Sequence, residues 1–278
     1  MNWVLILFFA LVCSACQRPF SSQRPPSQDS PLLGIIGGSS VQSNDPIAFS
    51  TVGLEQRASG FFCSAVLIDQ NIVLTAAHCV YAIKDITDVN VVFGLDLLKS
   101  TEKRKVIAVV LPEFWQSLDL EKLAQPEQAW QDLALLKFEG SLPEKSKPVS
   151  MALDDVDPAR DFELKVAGFG VSNIEESNSP LLMMASVPIT EIGFNESEIK
   201  LGDETGPAAC HGDSGGPAFN EREGQIFLAA IASRSSTLNG SLRCNEGSIY
   251  TRLFPFQKFI SQALKKLSSI QNTASLSL

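Results

Sequence analysis

The chain has 278 residues, 45% of them hydrophobic, with 18 glycines and 15 prolines, so it is long enough to bury a large core as one domain of two packed halves or as two small domains. Long heptads and tandem repeats are absent, which argues against a coiled coil or a disordered chain. A formal charge of −9 argues against a nucleic-acid partner, and because acidity of this kind serves solubility it implies no particular substrate.

In chain order, residues 1–12 form an apolar run too short to span a bilayer, and small and polar residues follow. Residues 1–16 therefore read as an export signal, although the usual Lys or Arg is missing from its start. Cys13-Ser14-Ala15-Cys16 resembles a bacterial lipoprotein cleavage site, with Cys13 where such sites carry Leu. Two readings stay open here: a lipidated Cys16 that anchors the protein to a membrane, or an ordinary signal peptide cut close by. The protein is expected outside the cytoplasm in either case, in the periplasm, secreted or held at the envelope. Residues 17–34, rich in Ser, Gln and Pro, read as a linker or propeptide that ends at Ile35-Ile36-Gly37-Gly38.

From there β-type runs dominate, at 61–68, 72–75, 89–93, 105–111, 133–138, 162–167, 181–190, 226–233 and 248–253. Many short strands separated by turn signals predict an all-β fold. The segment 142–148, with Pro143 and Pro148, breaks the pattern midway. Residues 256–267 read as a helix with Phe259, Ile260, Leu264 and Leu267 on one face, and a frayed tail is expected from 268 to 278.

The most specific stretch is Cys210-His211-Gly212-Asp213-Ser214-Gly215-Gly216-Pro217. A serine hydroxyl is a weak nucleophile at neutral pH and needs a base, while a tetrahedral intermediate needs N–H groups aimed at its oxyanion. Glycines around Ser214 allow a turn sharp enough to present those N–H groups. The chain has two histidines. His211 is three residues from Ser214 on the same tight loop, where its ring points more naturally away from the hydroxyl. His78, in Leu74-Thr75-Ala76-Ala77-His78-Cys79, is the better base. Asp132, at the head of Asp132-Leu133-Ala134-Leu135-Leu136, is the carboxylate suited to orient the imidazole and stabilise its cation.

Six cysteines support export. Setting aside Cys13 and Cys16 leaves Cys63, Cys79, Cys210 and Cys244, which can pair in three ways or remain as buried thiols. Among these four cysteines and the two histidines no Cys-x-x-Cys or His pair has ligand spacing, so neither a metal nor a cofactor is expected.

The ordered set Ile35-Ile36-Gly37-Gly38, Thr75-Ala76-Ala77-His78-Cys79, Asp132-Leu133-Ala134, Gly168-Phe169-Gly170 and Gly212-Asp213-Ser214-Gly215-Gly216-Pro217 resembles the trypsin-like (chymotrypsin-fold, S1) serine endopeptidases, from about residue 35 to about 264. The resemblance implies two antiparallel Greek-key β-barrels, at about 35–142 and 149–255, and a C-terminal α-helix at about 256–267. It implies catalysis by His78, Asp132 and Ser214 at the barrel interface, an oxyanion hole made by the N–H groups of Gly212 and Ser214, and disulfides Cys63–Cys79 and Cys210–Cys244. A zymogen is also implied, in which cleavage before Ile35 frees an amino terminus that inserts beside Asp213. Protein or peptide substrates, an activating protease and a monomer are the corresponding expectations.

The departures from the family pattern bear on specificity. Leu32-Leu33-Gly34 precedes the activation bond where Arg or Lys is usual, so a different protease is expected to cut it. The primary pocket's floor position is Ala208 where trypsin-like enzymes carry Asp, and its walls align with Ser233-Arg234-Ser235 and with Ser248. A P1 preference for uncharged, small to medium apolar residues follows, with Glu246 as a carboxylate able to restore some preference for basic ones. The loop 114–131 is longer than usual, and Trp115 and Trp130 are expected to pack more than to line the groove. Lys99 replaces a glutamate-bearing calcium loop, and His211 is expected at the pocket rim.

Overall fold

The computed structural model describes residues 34–116, 130–170, 180–203, 205–236, 244 and 247–270. The signal, Cys13, Cys16, the linker to residue 33, most of the long loop, Glu246 and the last residues of the tail lie outside the described residues.

The chain is mostly β and builds two closed six-stranded antiparallel barrels. The first contains β2 (Thr51–Gln56), β3 (Gly60–Asp69), β4 (Ile72–Thr75), β5 (Val89–Val92), β6 (Lys103–Val110) and β7 (Ala134–Phe138), in the order β2-β3-β4-β7-β6-β5. Because β4 pairs with β7 and not with β5, the connectivity is a Greek key. The second contains β8 (Glu163–Gly168), β9 (Met183–Asn195), β10 (Glu198–Leu201), β11 (Pro217–Arg222), β12 (Gln225–Ser235) and β13 (Ser248–Arg252), closed by the pairing of β8 with both β9 and β11. Closure removes the exposed edges that open antiparallel sheets carry. A two-residue strand, β1 (Ser39–Ser40), adds the N-terminal segment to β9 of the second barrel.

β4 and β7 are buried throughout, because one face fills the first barrel while the other is covered by neighbouring elements. Besides the two-residue β1, three strands that sequence periodicity does not reveal are β2, β10 and β11. Gly53 interrupts β2, yet a Cβ there would stand 2.2 Å from Leu97 Cδ1, so close packing and not a turn requires that glycine. β10 is four residues long and opens on a buried Glu198–Ile199 pair, and β11 opens on a proline at its first residue, a position that tolerates it.

Two short helices, α1 (Pro46–Ser50) and α2 (Glu113–Gln116), join the C-terminal α3 (Gln257–Ser268). α3 buries Ile260, Ala263 and Leu267, a stripe at i, i+3 and i+7, with Phe259 and Leu264 only partly buried. It packs on β6 and β7 of the first barrel, so the chain's end crosses back over its first half. Lys137 of β7, 4% exposed, donates from Nζ to the Leu267 carbonyl at 3.0 Å, placing a cation at the negative end of the helix.

Candidate active site

His78 sits in a 3₁₀ turn, Ala77–Cys79, that directly continues β4, and Asp132 lies two residues before β7, the strand paired with β4. Neighbouring strands thus bring the two together although 54 residues separate them. His78 Nδ1 lies 2.7 Å from Asp132 Oδ2, and the His78 backbone N–H donates to Asp132 Oδ1 at 2.9 Å. The Ser233 hydroxyl donates to the same Oδ2 at 2.6 Å. Burial works against ionisation of Asp132, but the His78 charge and these hydrogen bonds hold its carboxyl below the usual carboxylate range. Burial likewise disfavours a charged His78; Asp132 outweighs it and raises the imidazole above its ordinary value, while Arg234 acts in the opposite sense.

The turn before Asp132 is fixed from below. Gln131 takes a left-handed φ of +46°, and the indole Nε1 of the buried Trp115 donates to the carbonyls of Trp130 at 2.8 Å and Gln131 at 3.1 Å. Trp115 therefore packs, as its apolar body suggests, and also clamps the turn that leads into Asp132, which no feature of the sequence announces.

Ser214 stands on the turn before β11. The Ser64 N–H of β3 donates to the Ser214 carbonyl at 2.8 Å, and the Gly215 N–H donates to the Ala232 carbonyl at 2.8 Å, so both barrels grip the turn. Gly215 has a φ of +78°, and a Cβ there would fall 2.0 Å from Thr75 Oγ1, so this position requires glycine. Among the described residues the N–H groups of Gly212 and Ser214 donate to no protein acceptor, which leaves two adjacent donors open. The Cys79 sulfur lies 3.7 Å from His78 Nε2 and 3.9 Å from the Ser214 carbonyl oxygen, next to both the imidazole and the serine turn. No hydrogen bond joins the Ser214 hydroxyl to His78 among the described residues; such bonds are commonly long before substrate binds and tighten in the Michaelis complex.

The disulfides are Cys63–Cys79 and Cys210–Cys244. Each lies beside a histidine, His78 and His211 respectively, but sulfurs bonded to each other offer no thiolate to a metal.

Asp213 is 1% exposed and accepts from Gly170 N–H on Oδ1 and Cys210 N–H on Oδ2, both at 2.8 Å. Burial dominates and pushes its carboxyl up to about 6. The Gly168-Phe169-Gly170 motif gains its reason here, since a Cβ on Gly168 or Gly170 would come within 2.2 Å or 2.5 Å of the Asp213 carboxylate. Two backbone donors and an elevated proton affinity accommodate the burial. Ile35 is itself 1% exposed, and Ile36 exchanges backbone hydrogen bonds with Ala208 at 2.9 and 3.3 Å.

A cavity of about 200 Å³ opens beside Ser214, lined among others by His211, Ser233, Arg234, Ser235 and Ser248. Ala208 is buried and is not among its lining residues, whereas Ser248 is, with its hydroxyl 3.4 Å from the Ala209 carbonyl. No acidic side chain lines the cavity among the described residues. Arg234 is neither a free rim residue nor poised for a substrate carboxylate, because Glu198 takes its guanidinium at 2.7 Å through both nitrogens. Glu198, Asn195 and Ser64 are the participants that the sequence did not single out: each stands in an ordinary β-type context far along the chain from the triad motifs.

Two closed barrels, a buried carboxylate holding a histidine at its ring and at its backbone N–H, and a glycine-rich serine turn between them define a serine endopeptidase. The trypsin family model matches residues 35–260, and the chain belongs to that family. It is similar to trypsin-1 of Astacus astacus, 29% identical over 72% of this chain and 88% of that one. It is also similar to kallikrein 1-related peptidase b11 of Mus musculus, 26% identical over 95% and 99% of the two chains, and to serine protease SP24D of Anopheles gambiae, 28% identical over 66% and 67%.

Proposed function

We propose that the chain hydrolyses peptide bonds through an acyl-enzyme on Ser214, with His78 as general base and then acid, and Asp132 as the carboxylate that orients it. The observation that carries this reading is the two-point hold of Asp132 on His78, at Nδ1 and at the backbone N–H. That hold presents Nε2 as the free, basic nitrogen. Ser214 attacks the carbonyl, His78 takes the proton and returns it to the leaving amine, and the open Gly212 and Ser214 N–H groups receive the oxyanion. Removing one such donor typically costs about 3 to 4 kcal/mol of transition-state stabilisation.

Cleavage before Ile35 would produce an ammonium within a short reach of Asp213. Gly34 supports this placement, since a Cβ there would lie 3.1 Å from the carbonyl of Gly170, whose N–H binds the Asp213 carboxylate. The activating protease is not one that requires Arg or Lys, because the bond follows Leu32-Leu33-Gly34. Where Cys16 carries lipid, the same cut would release the catalytic domain, so anchored and active forms would be different molecules. Export fits the two disulfides, which need an oxidising compartment. No helix among the described residues is long and apolar enough to cross a membrane.

The P1 residue is uncharged and small to medium in size. A basic side chain entering the cavity would lose water without meeting a carboxylate among the described residues, and the Ser248 side chain, one of the lining residues, takes up part of the space.

A fluorophosphonate probe tests the mechanism. Material beginning at Ile35 should label, and Ser214→Ala and His78→Ala should not; correctly processed protein that stays unlabelled overturns the reading in favour of a binding module built on the protease fold. A peptide-library profile tests the pocket separately, and predominant cutting after Lys or Arg would overturn it.

A further inference from the structure

Arg234 has no task in the mechanism above, yet the fold invests several residues in holding it. Its side chain is only 10% exposed, and its guanidinium is bound in parallel by Glu198, Nη1 to Oε1 and Nη2 to Oε2, each at 2.7 Å. The Trp130 ring lies 4.4 Å away and the Phe194 ring 5.8 Å away. Glu198 is fully buried and accepts as well from the Trp130 N–H at 3.2 Å and from Asn195 Nδ2. A flat, forked, stacked cation of this kind is a geometry that only arginine satisfies. Buried ion pairs contribute little to stability by themselves, so the location of this pair is the more informative fact. Arg234 Nη1 is 3.5 Å from the Ser233 hydroxyl, and that hydroxyl donates to Asp132 Oδ2, the oxygen that also meets His78 Nδ1.

Resting on the reading of His78 as general base, we propose that Arg234 and Glu198 are a positioning pair for the His78–Asp132 couple, a compensated cation held one hydroxyl away from Asp132 that sets how readily His78 keeps a proton. Among the described residues the charged groups around the imidazole are few. Asp132 faces it from the segment before β7, Arg234 from β12, and Glu198 stands behind Arg234 on β10; the Cys79 disulfide beside Nε2 carries no charge. Asp213, on the serine turn, is engaged by the N–H groups of Gly170 and Cys210.

The two partners should act in opposite directions. Without Glu198 the cation is uncompensated and repels an imidazolium more strongly, so Glu198→Gln should lower the pH at which His78 titrates. Without Arg234 a buried carboxylate remains and favours the imidazolium, so Arg234→Gln should raise it. Each displacement is expected to be on the order of half a pH unit. A pair that merely braced the fold would weaken both variants without separating them in sign.

The experiment is an NMR titration of the His78 ring in the processed chain carrying Ser214→Ala. With two histidines in the sequence, His211→Asn assigns the resonances. Opposite displacements uphold the proposal; displacements of the same sign, or none, in folded variants overturn it. If Glu198→Gln does not fold, Arg234→Lys decides against Arg234→Gln: lysine keeps the charge and should leave the titration in place while glutamine moves it, and equal displacement by both overturns the proposal. Proton binding is read without turnover, so a failed fluorophosphonate test would remove the peptidase mechanism and leave this result standing. Successful labelling with unmoved titrations would remove only the proposal.

Discussion

At the scale of single residues, Ser64 links the barrels most directly to the serine turn. It is fully buried; its hydroxyl donates to the Gly212 carbonyl at 2.8 Å and accepts from the Phe169 N–H at 3.0 Å. Ser64→Ala orphans both groups, so a loss of about 1–3 kcal/mol is expected in denaturant unfolding. Because the Gly212 peptide would loosen, kcat for a peptide ester should fall by roughly tenfold or more, with KM little changed. Asp213 yields a pH prediction. Its folded value of about 6 lies above the ordinary 3.8, so the fold favours the protonated form. Its contribution is fully present below pH 3.8 and is lost as pH rises through 6, about 3 kcal/mol in all. Asp132 and Asp161 have depressed values and contribute in the opposite sense, so the comparison must isolate one group. In the uncut Ser214→Ala chain, adding Asp213→Asn should become progressively less harmful, or stabilising, as thermal unfolding is followed from pH 4 to pH 7.

At the scale of elements, α2 and the end of the long loop decide where Asp132 points. The α2 residue Trp115 holds the carbonyls of Trp130 and Gln131 through one indole N–H, beside a non-glycine residue in left-handed backbone. Trp115→Phe keeps most of the apolar contact and removes that donor. Steady-state kinetics should then show a lower kcat at similar KM, by about 1–2 kcal/mol of activation free energy, and Gln131→Gly in the same background should not restore it. An unchanged kcat would show that the turn holds its shape without the indole. The strands legible in the sequence were those with continuous apolar runs, such as β4 and β7, since strands buried on both faces need no alternation. β2, β10 and β11 escaped because packing against Leu97, an ion pair at Glu198 and a leading proline set their sequences.

At the scale of the whole molecule, the site exists only because two barrels meet. His78 and Asp132 belong to the first and Ser214 to the second, while the N-terminal segment and α3 each attach to a barrel distant from them in sequence. Cutting before Ile35 should therefore change the molecule beyond its N-terminus. An ammonium close to Asp213 would favour the ionised carboxylate, return it toward the ordinary carboxylate range and raise stability at neutral pH. Processed Ser214→Ala protein should accordingly melt at a higher temperature than the uncut form at pH 7. That advantage should shrink as pH rises past about 8, where an α-amino group loses its proton. Equal melting curves for the two forms would remove Asp213 from the activation step.

The sequence by itself determined the all-β class and the family, and it singled out His78, Asp132 and Ser214 as candidates, because acyl-transfer chemistry restricts residue types and local turns restrict glycine positions over a few residues. It named the disulfide partners only through the family's pattern. Tertiary structure alone decided that Arg234 is bound by Glu198, that Ala208 does not line the cavity, that Ser64 carries a bond from one barrel to the other, and that two backbone N–H groups hold the buried Asp213. Each of these depends on which side chains converge from strands far apart in the chain, and on how much water they lose when they do, quantities that neighbouring residues in a sequence do not encode.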